Sequence, residues 1–87
     1  MYLHLGQDTV VRTDHIVGIF DLDTSTVARG TRAFLAQAQK AGHVINVSEK
    51  LPKSFVLCAP QGEQTEWVYV SQISSATLRR RAGLPPG

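Results

Sequence analysis

The stretch HIVGIFDLDTSTVARGTRAFLAQAQKAG, residues 15–42, contains the signals that decide the fold. Its apolar start (15–20) favours a strand, an Asp/Thr/Ser-rich corner follows, and a helical pattern then continues to Gly42. At about 100° per residue, apolar and basic positions fall on opposite faces of this helix. The apolar face comprises Val27, Thr31, Phe34, Leu35, Ala38 and Ala41, and the opposite face comprises Arg29, Arg32, Ala36 and Lys40. We therefore expect a helix over about residues 24–41 that buries its apolar face against strands and turns a basic stripe to solvent.

Capping residues mark both ends of this helix. Asp23 or Thr24 can accept hydrogen bonds from the free N–H groups of the first turn. If Asp23 is the cap, Leu22 and Val27 stand at the positions of a hydrophobic staple. Gly42 is predicted to end the helix in the left-handed conformation.

Short alternating or apolar runs bounded by turn residues predict the other strands. These runs are Tyr2–Leu5, Thr9–Arg12, Val44–Val47, Phe55–Ala59 and Glu66–Ser71. Together with 15–20 they give about six short strands, of which the first three are expected to form a meander. Ser74 is predicted to cap a short C-terminal helix that runs to about Arg81, and residues 83–87 are expected to be a disordered tail. The predicted fold is α+β, a small and mostly antiparallel sheet with one main helix and one short C-terminal helix, in a single domain over residues 1–82.

Length and composition restrict the class of protein. A chain of 87 residues with 43% hydrophobic residues is sufficient for one small globular domain. It contains neither a long apolar run nor a signal-peptide pattern, so we expect no membrane segment and a cytoplasmic location. Cys58 stands alone and cannot form an internal disulfide, which fits a reducing compartment. Because it lies in an apolar strand, the default interpretation is an inert core thiol.

Charge is unevenly distributed along the chain. Residues 1–23 carry one arginine and four aspartates, a net charge of −3, whereas residues 24–62 carry five cations and one glutamate, a net charge of +4. This asymmetry indicates either a footprint for polyanions or head-to-tail pairing of subunits. Chance scatter of few charges is the alternative.

Four cations are the strongest candidates for a binding surface. Arg29 and Arg32 are three residues apart near the predicted helix start, so their side chains project together. Lys50 and Lys53 lie in a polar loop, from which long cationic side chains can reach phosphate oxygens. Arg79 and Arg80, with Arg81, can add phosphate contacts or simply favour the end of the second helix through its dipole. On charge alone, a solvated helix face and an ordinary loop explain the same residues.

A possible catalytic motif, DLD at Asp21–Asp23, resembles the first motif of the haloacid-dehalogenase phosphotransferases. Thr24 replaces the glycine that follows in that family, and the chain is too short for the doubly wound sheet. Helix-capping aspartates explain the residues more simply. We therefore expect no catalytic residues, no metal, no cofactor and no small-molecule substrate.

Histidines and sheet aromatics are weaker candidates. The three histidines are too scattered for metal-ligand spacing, although His15 could contact phosphate. Trp67 and Tyr69 share one strand face and could stack on bases, but core or subunit-interface packing is the more common use of such a pair.

Four segments of the chain carry a family resemblance. They are YLHLG (2–6), IFDLDT (19–24), VSEKLPKSFV (47–56) and YVSQISSATL (69–78). The chain resembles the small bacterial extracellular matrix regulatory proteins, the RemA/RemB-like family, and particularly its RemB-like members.

The resemblance implies a cytoplasmic regulator of biofilm matrix genes that binds double-stranded DNA. It also implies a fold like that of LytTR-type DNA-binding domains and a homo-oligomeric ring of about seven or eight subunits. Arg29 matches the helix-start arginine that this family associates with DNA contact, and Arg32 lies one turn further on. Lys50 and Lys53 occupy the loop in which RemA-like members are richer in arginine, and His15 stands where those members carry arginine. Lysine is a point charge without the two-pronged geometry of arginine, so these departures predict weaker or altered DNA contact.

Overall fold

The computed structural model describes residues 1–22 and 29–84, apart from the side chain of Arg29. Its elements are β1 (Tyr2–Gly6), β2 (Thr9–Arg12), β3 (Ile16–Asp21), α1 (Arg29–Lys40), β4 (Val44–Asn46), β5 (Ser54–Cys58), β6 (Trp67–Ser71) and α2 (Ser75–Arg81). The α+β class and the mostly antiparallel pairing predicted from the sequence are confirmed. The predicted helix caps, Asp23 and Thr24, and the staple residue Val27 lie outside the described residues.

The strands form two sheets. β1 and β2 pair as an antiparallel hairpin, and the other four strands form a sheet in the order β3-β5-β6-β4, in which β4 runs parallel to β6. The expected three-stranded meander is therefore wrong. A 3₁₀ turn over Thr13–His15 follows β2, and β3 then pairs with β5 instead.

The hydrophobic core lies between the hairpin, one face of the four-stranded sheet, and α2. Its buried members are Leu3, Leu5, Val11, Ile19, Val47, Val56, Cys58 and Leu78. Strand register explains this set, because Ile19 pairs with Val56 and Val56 pairs with Tyr69, so these side chains share a face. The centre of the core is thus covered by the hairpin and the short helix, and α1 packs on the opposite face.

The packing of α1 only partly follows the prediction. The helix lies against β4 and β6, and Arg32 and Lys40 are exposed as expected. On the predicted apolar face, however, Leu35 and Ala38 are only half-buried and Phe34 is 38% exposed. None of the α1 side chains that the structure describes is fully buried. The expectation of a buried apolar face is therefore wrong, because this face is only partly buried. The sheet side chains on this face are nevertheless covered, since Phe55 is 2% exposed and Val68 has no exposed surface.

Strand β3 contains an irregularity at Gly18. The register between β3 and β5 shifts between Ile16 and Gly18. A Cβ atom at Gly18 would lie 2.6 Å from Cζ of Phe20, whose ring stacks on Phe55 with centroids 4.8 Å apart. Gly18 therefore provides the space in which the Phe20 ring folds back over its own strand.

Both helices end with the same hydrogen-bond pattern. At the end of α1, His43 N donates to Ala38 O (2.9 Å) and Gly42, with φ of 79°, donates to Gln39 O (3.1 Å). The predicted left-handed end at Gly42 is confirmed. After α2, Gly83 N donates to Arg80 O and Leu84 N to Arg79 O. The first two residues of the predicted tail thus close the helix end, and residues 85–87 lie outside the described part of the chain.

Candidate nucleic-acid interface

The loop between β4 and β5, residues 47–53, is fixed at both ends by backbone hydrogen bonds. Val47 N donates to Val70 O and Lys53 N donates to Ser71 O, each at 2.9 Å, so both loop ends are tied to β6. The Lys53 carbonyl also accepts from Leu22 N at 2.9 Å, which links the loop to the end of β3. The two predicted lysines are therefore carried by a segment with fixed ends.

Side-chain contacts hold the middle of this loop. Ser48 Oγ donates to Oε1 of Gln72 (2.6 Å) and accepts from the backbone N–H of Lys50 (3.1 Å). Ser48 and Gln72 are half-buried, whereas Lys50 and Lys53 are exposed. The arrangement orders the backbone at Lys50 and leaves both ammonium groups on the surface.

A polar cleft borders the same loop. It has a volume of about 530 Å³ and is lined by Gln7, Asn46, Val47, Ser48, Glu49 and Lys50. The turn of the β1–β2 hairpin forms its other wall. A Cβ atom at Gly6 would lie 3.4 Å from Cγ1 of Val47, so the hairpin turn rests directly on the start of the loop. Glu49 offsets part of the positive charge inside the cleft, while Lys53 lies outside this lining set.

The start of α1 lies over the same end of the four-stranded sheet. Gly30 and Thr31 line an apolar pocket of about 200 Å³ together with Phe20 and Phe55. Phe20 precedes Leu22 by two residues, and Phe55 follows Lys53 by two residues. The first turn of α1 and Lys53 therefore belong to one end of the molecule. Arg29 begins α1 here, and Arg32, one turn later, is exposed.

The C-terminal arginines lie elsewhere. Arg79 is half-buried, and its Nη2 donates a hydrogen bond to the backbone carbonyl of Ile19, in β3. Arg80 and Arg81 are exposed in the last turn of α2. Arg79 therefore holds α2 against the edge strand, and of the predicted C-terminal pair Arg80 is exposed while Arg79 is half-buried.

One aspartate of the acidic first quarter is paired with an arginine in the fold. Arg12 forms a two-pronged contact with Asp14, with Nε–Oδ1 and Nη2–Oδ2 distances of 3.0 and 2.8 Å. This hydrogen bonding lowers the pKa of the Asp14 carboxyl. Asp21 ends β3, and its proposed partner Asp23 lies outside the described residues. Within residues 1–22 and 29–84, no group of three or more His, Cys, Asp and Glu side chains is placed to hold a metal ion.

The two sheet aromatics are used in packing. Tyr69 packs against the core, and burial raises its pKa. The half-buried ring of Trp67 contacts the ring of His43 at 5.1 Å between centroids. His15 is half-buried and its carbonyl accepts from Ala59 N.

Cys58 is the buried thiol that the sequence indicated, at 2% exposure. Burial raises its pKa from 9.0 to about 11, so the unfolded chain loses this proton at lower pH than the folded chain does. The free energy of unfolding should therefore fall as pH rises from about 9 towards about 11. We expect urea denaturation to show a larger loss of stability between about pH 8 and about pH 10.5 in the native sequence than in Cys58→Ala. Equal losses in both proteins would contradict this assignment.

Sequence reasoning missed the small polar residues that organise this region. Ser71 is 1% exposed, and its Oγ donates to Leu5 O (2.7 Å) and accepts from Ile73 N (3.0 Å). Ser54, fully buried, donates from Oγ to Ile73 O at 2.7 Å. The available signal was strand alternation, which places Ser71 on the same face as Tyr69 and therefore toward the core.

Within the described segments, no helix is long and apolar enough to cross a lipid bilayer.

Comparisons with known proteins identify the family. Residues 2–82 match the RemA-like family, described as extracellular matrix regulatory protein A-like. The chain is also 37% identical, over 82 residues, to the extracellular matrix regulatory protein B of Bacillus subtilis (strain 168), covering 94% of this chain and 90% of that protein. This α+β chain matches the family over nearly all its residues. It is therefore a member of the RemA-like extracellular matrix regulatory proteins.

Proposed function

We propose that this protein is a cytoplasmic, non-enzymatic regulator of extracellular matrix genes that binds double-stranded DNA as a homo-oligomer and uses no cofactor. The regulatory class follows from the family to which the chain belongs. The observation that carries the DNA proposal is the anchored loop that exposes Lys50 and Lys53 on the surface. Cations held on a fixed backbone suit a ligand with regularly spaced negative charges, such as a duplex phosphate chain.

The chemistry of these cations favours contact with phosphates over reading of bases. Lysine offers a mobile point charge, and neither Lys50 nor Lys53 lies on a helix that could enter the major groove. Two loop lysines, Arg29 and Arg32 give about four phosphate contacts from one subunit, which is weak at physiological salt. A ring of about seven or eight subunits repeats this surface and raises the effective concentration of each contact. DNA preference should then depend on bendability more than on base contacts.

Assembly into a ring is supported by apolar side chains that one subunit leaves exposed. Tyr2 is 68% exposed and Val10 is 55% exposed, both on the hairpin, and Val17 of β3 is 61% exposed. Ala33 and Ala36 of α1 are exposed as well. These same surfaces favour a second candidate function, an oligomeric structural or partner-binding regulator that makes no direct contact with DNA.

Neutralising the loop cations tests the DNA proposal. Lys50→Gln combined with Lys53→Gln should weaken binding of a labelled mixed-sequence duplex by at least about tenfold at low salt, since about two phosphate contacts are lost from every subunit. The slope of log affinity against log salt should become less steep in the same titration. Lys40→Gln, which removes one exposed cation from the last turn of α1, is the matched control and should change affinity less.

Arg29→Ala and Arg32→Ala extend the same titration to α1, and unchanged affinity and salt slope would remove these residues from the site. Native mass spectrometry of each variant reports whether the oligomer persists. If the wild-type protein forms an oligomer but shows no salt-dependent DNA binding, the partner-binding alternative is favoured and the DNA proposal fails.

A further inference from the structure

We propose that Gln72 is a positioning residue for the DNA-binding loop, which it holds through Ser48 without touching the ligand itself. The inference rests on the proposed function, because it concerns the same loop lysines. It assigns a role in affinity to an uncharged residue on a different segment of the chain.

The contact chain from Gln72 to Lys50 has two hydrogen bonds. Oε1 of Gln72 accepts from Ser48 Oγ at 2.6 Å, and Ser48 Oγ accepts from the N–H of Lys50 at 3.1 Å. Ser48 is therefore both donor and acceptor, which fixes its hydroxyl orientation. Its orientation in turn fixes the backbone at Lys50, two residues along the loop.

Gln72 stands on a rigid support. It lies between β6 and the N-cap of α2, where Ser74 Oγ accepts from Thr77 N at 3.2 Å. The residues on either side of it are held as well: Ile73 N donates to Ser71 Oγ at 3.0 Å, and Ile73 O accepts from Ser54 Oγ at 2.7 Å. The backbone of Gln72 is thus fixed by contacts with the core, and its side-chain amide supports the loop through Ser48.

Preorganisation explains why such a residue should affect affinity. The backbone bonds at Val47 and Lys53 hold the two ends of the loop, and the Ser48 hydroxyl holds its middle. A loop that is ordered before binding loses less conformational entropy when its lysines engage phosphates. Removal of the Gln72 acceptor should release Ser48, let Lys50 sample other positions, and leave the number of cations unchanged.

The experiment compares Gln72→Ala and Ser48→Ala with the loop-lysine variant on the same labelled duplex DNA. Gln72→Ala should weaken binding by about three- to tenfold, the range that corresponds to loss of one or two hydrogen bonds. The double variant Gln72→Ala/Ser48→Ala should bind the duplex no more weakly than the more affected of the two single variants, because both substitutions break the same chain of contacts. Ser48→Thr keeps the hydroxyl and should retain most of the affinity.

Two further readouts separate positioning from general destabilisation. The Lys50 amide resonance should shift or broaden in Gln72→Ala, while the midpoint of thermal unfolding stays close to that of the control Gln64→Ala, which changes an exposed glutamine. If Gln72→Ala binds DNA as tightly as the wild type while the lysine variant binds more weakly, the positioning role is wrong and the proposed function stands. If the lysine variant also binds as tightly as the wild type, the proposed function fails and this inference fails with it.

Discussion

Leu78→Ala is expected to lower the free energy of unfolding by about 2–5 kcal/mol, the usual range for removing a buried leucine side chain. Leu78 has no exposed surface and is the α2 side chain in the core cluster. A helix of seven residues is too short to be stable alone, so α2 depends on this contact. For a domain of 87 residues this loss is a large share of the total stability.

Urea denaturation followed by circular dichroism measures the effect, and two controls separate packing from helix propensity. Ala76→Gly, at an exposed site in the same helix, should cost only about 1 kcal/mol. Leu78→Met keeps most of the side-chain volume and should cost less than about 1.5 kcal/mol. A Leu78→Ala effect no larger than that of Ala76→Gly would show that α2 contributes little to the core.

Ser71→Ala is the second substitution with a large expected effect, about 2–4 kcal/mol. The Ser71 hydroxyl bonds to the Leu5 carbonyl and to the Ile73 N–H, so its removal leaves two backbone groups near the core without this partner. The first of these bonds joins the hairpin to the four-stranded sheet, across 66 residues of sequence. Its loss should therefore loosen the attachment of β1.

Amide hydrogen exchange locates the effect of Ser71→Ala. The exchange rate should rise first in β1 and β2. Ser54→Ala breaks a single bond, to the Ile73 carbonyl, and should cost about 1–2 kcal/mol without selective exchange in the hairpin. Equal exchange in the hairpins of both variants would contradict the proposed attachment.

The sequence predicted local features of this fold better than its long-range ones. Helix ends and strand positions depend on neighbouring residues, so Gly42 and the six strands were predicted correctly. The meander was not, because the pairing of β3 with β5 depends on a segment more than 30 residues further along the chain. The same applies to the core: helical periodicity predicted an apolar face on α1 but not how much of that face neighbouring elements cover.

The candidate site divides in the same way. Lys50, Lys53 and Arg32 were predicted to be exposed from residue type and local pattern, and the structure places them on the surface. Arg79 looked equivalent to Arg80 in the sequence, yet only the three-dimensional arrangement shows that it donates to Ile19. Gln72 carried no signal at all, since its contact with Ser48 joins residues 24 positions apart.

The contact of Arg79 with Ile19 also restricts how copies of the chain can meet. β3 is an outer strand, and an incoming strand that paired along it would have to displace the guanidinium from this carbonyl. Continuation of the sheet from one molecule into the next, by β-augmentation, is therefore obstructed here. The arginine that fastens the last helix thus also obstructs strand pairing along β3, while β4 forms the other edge of the same sheet.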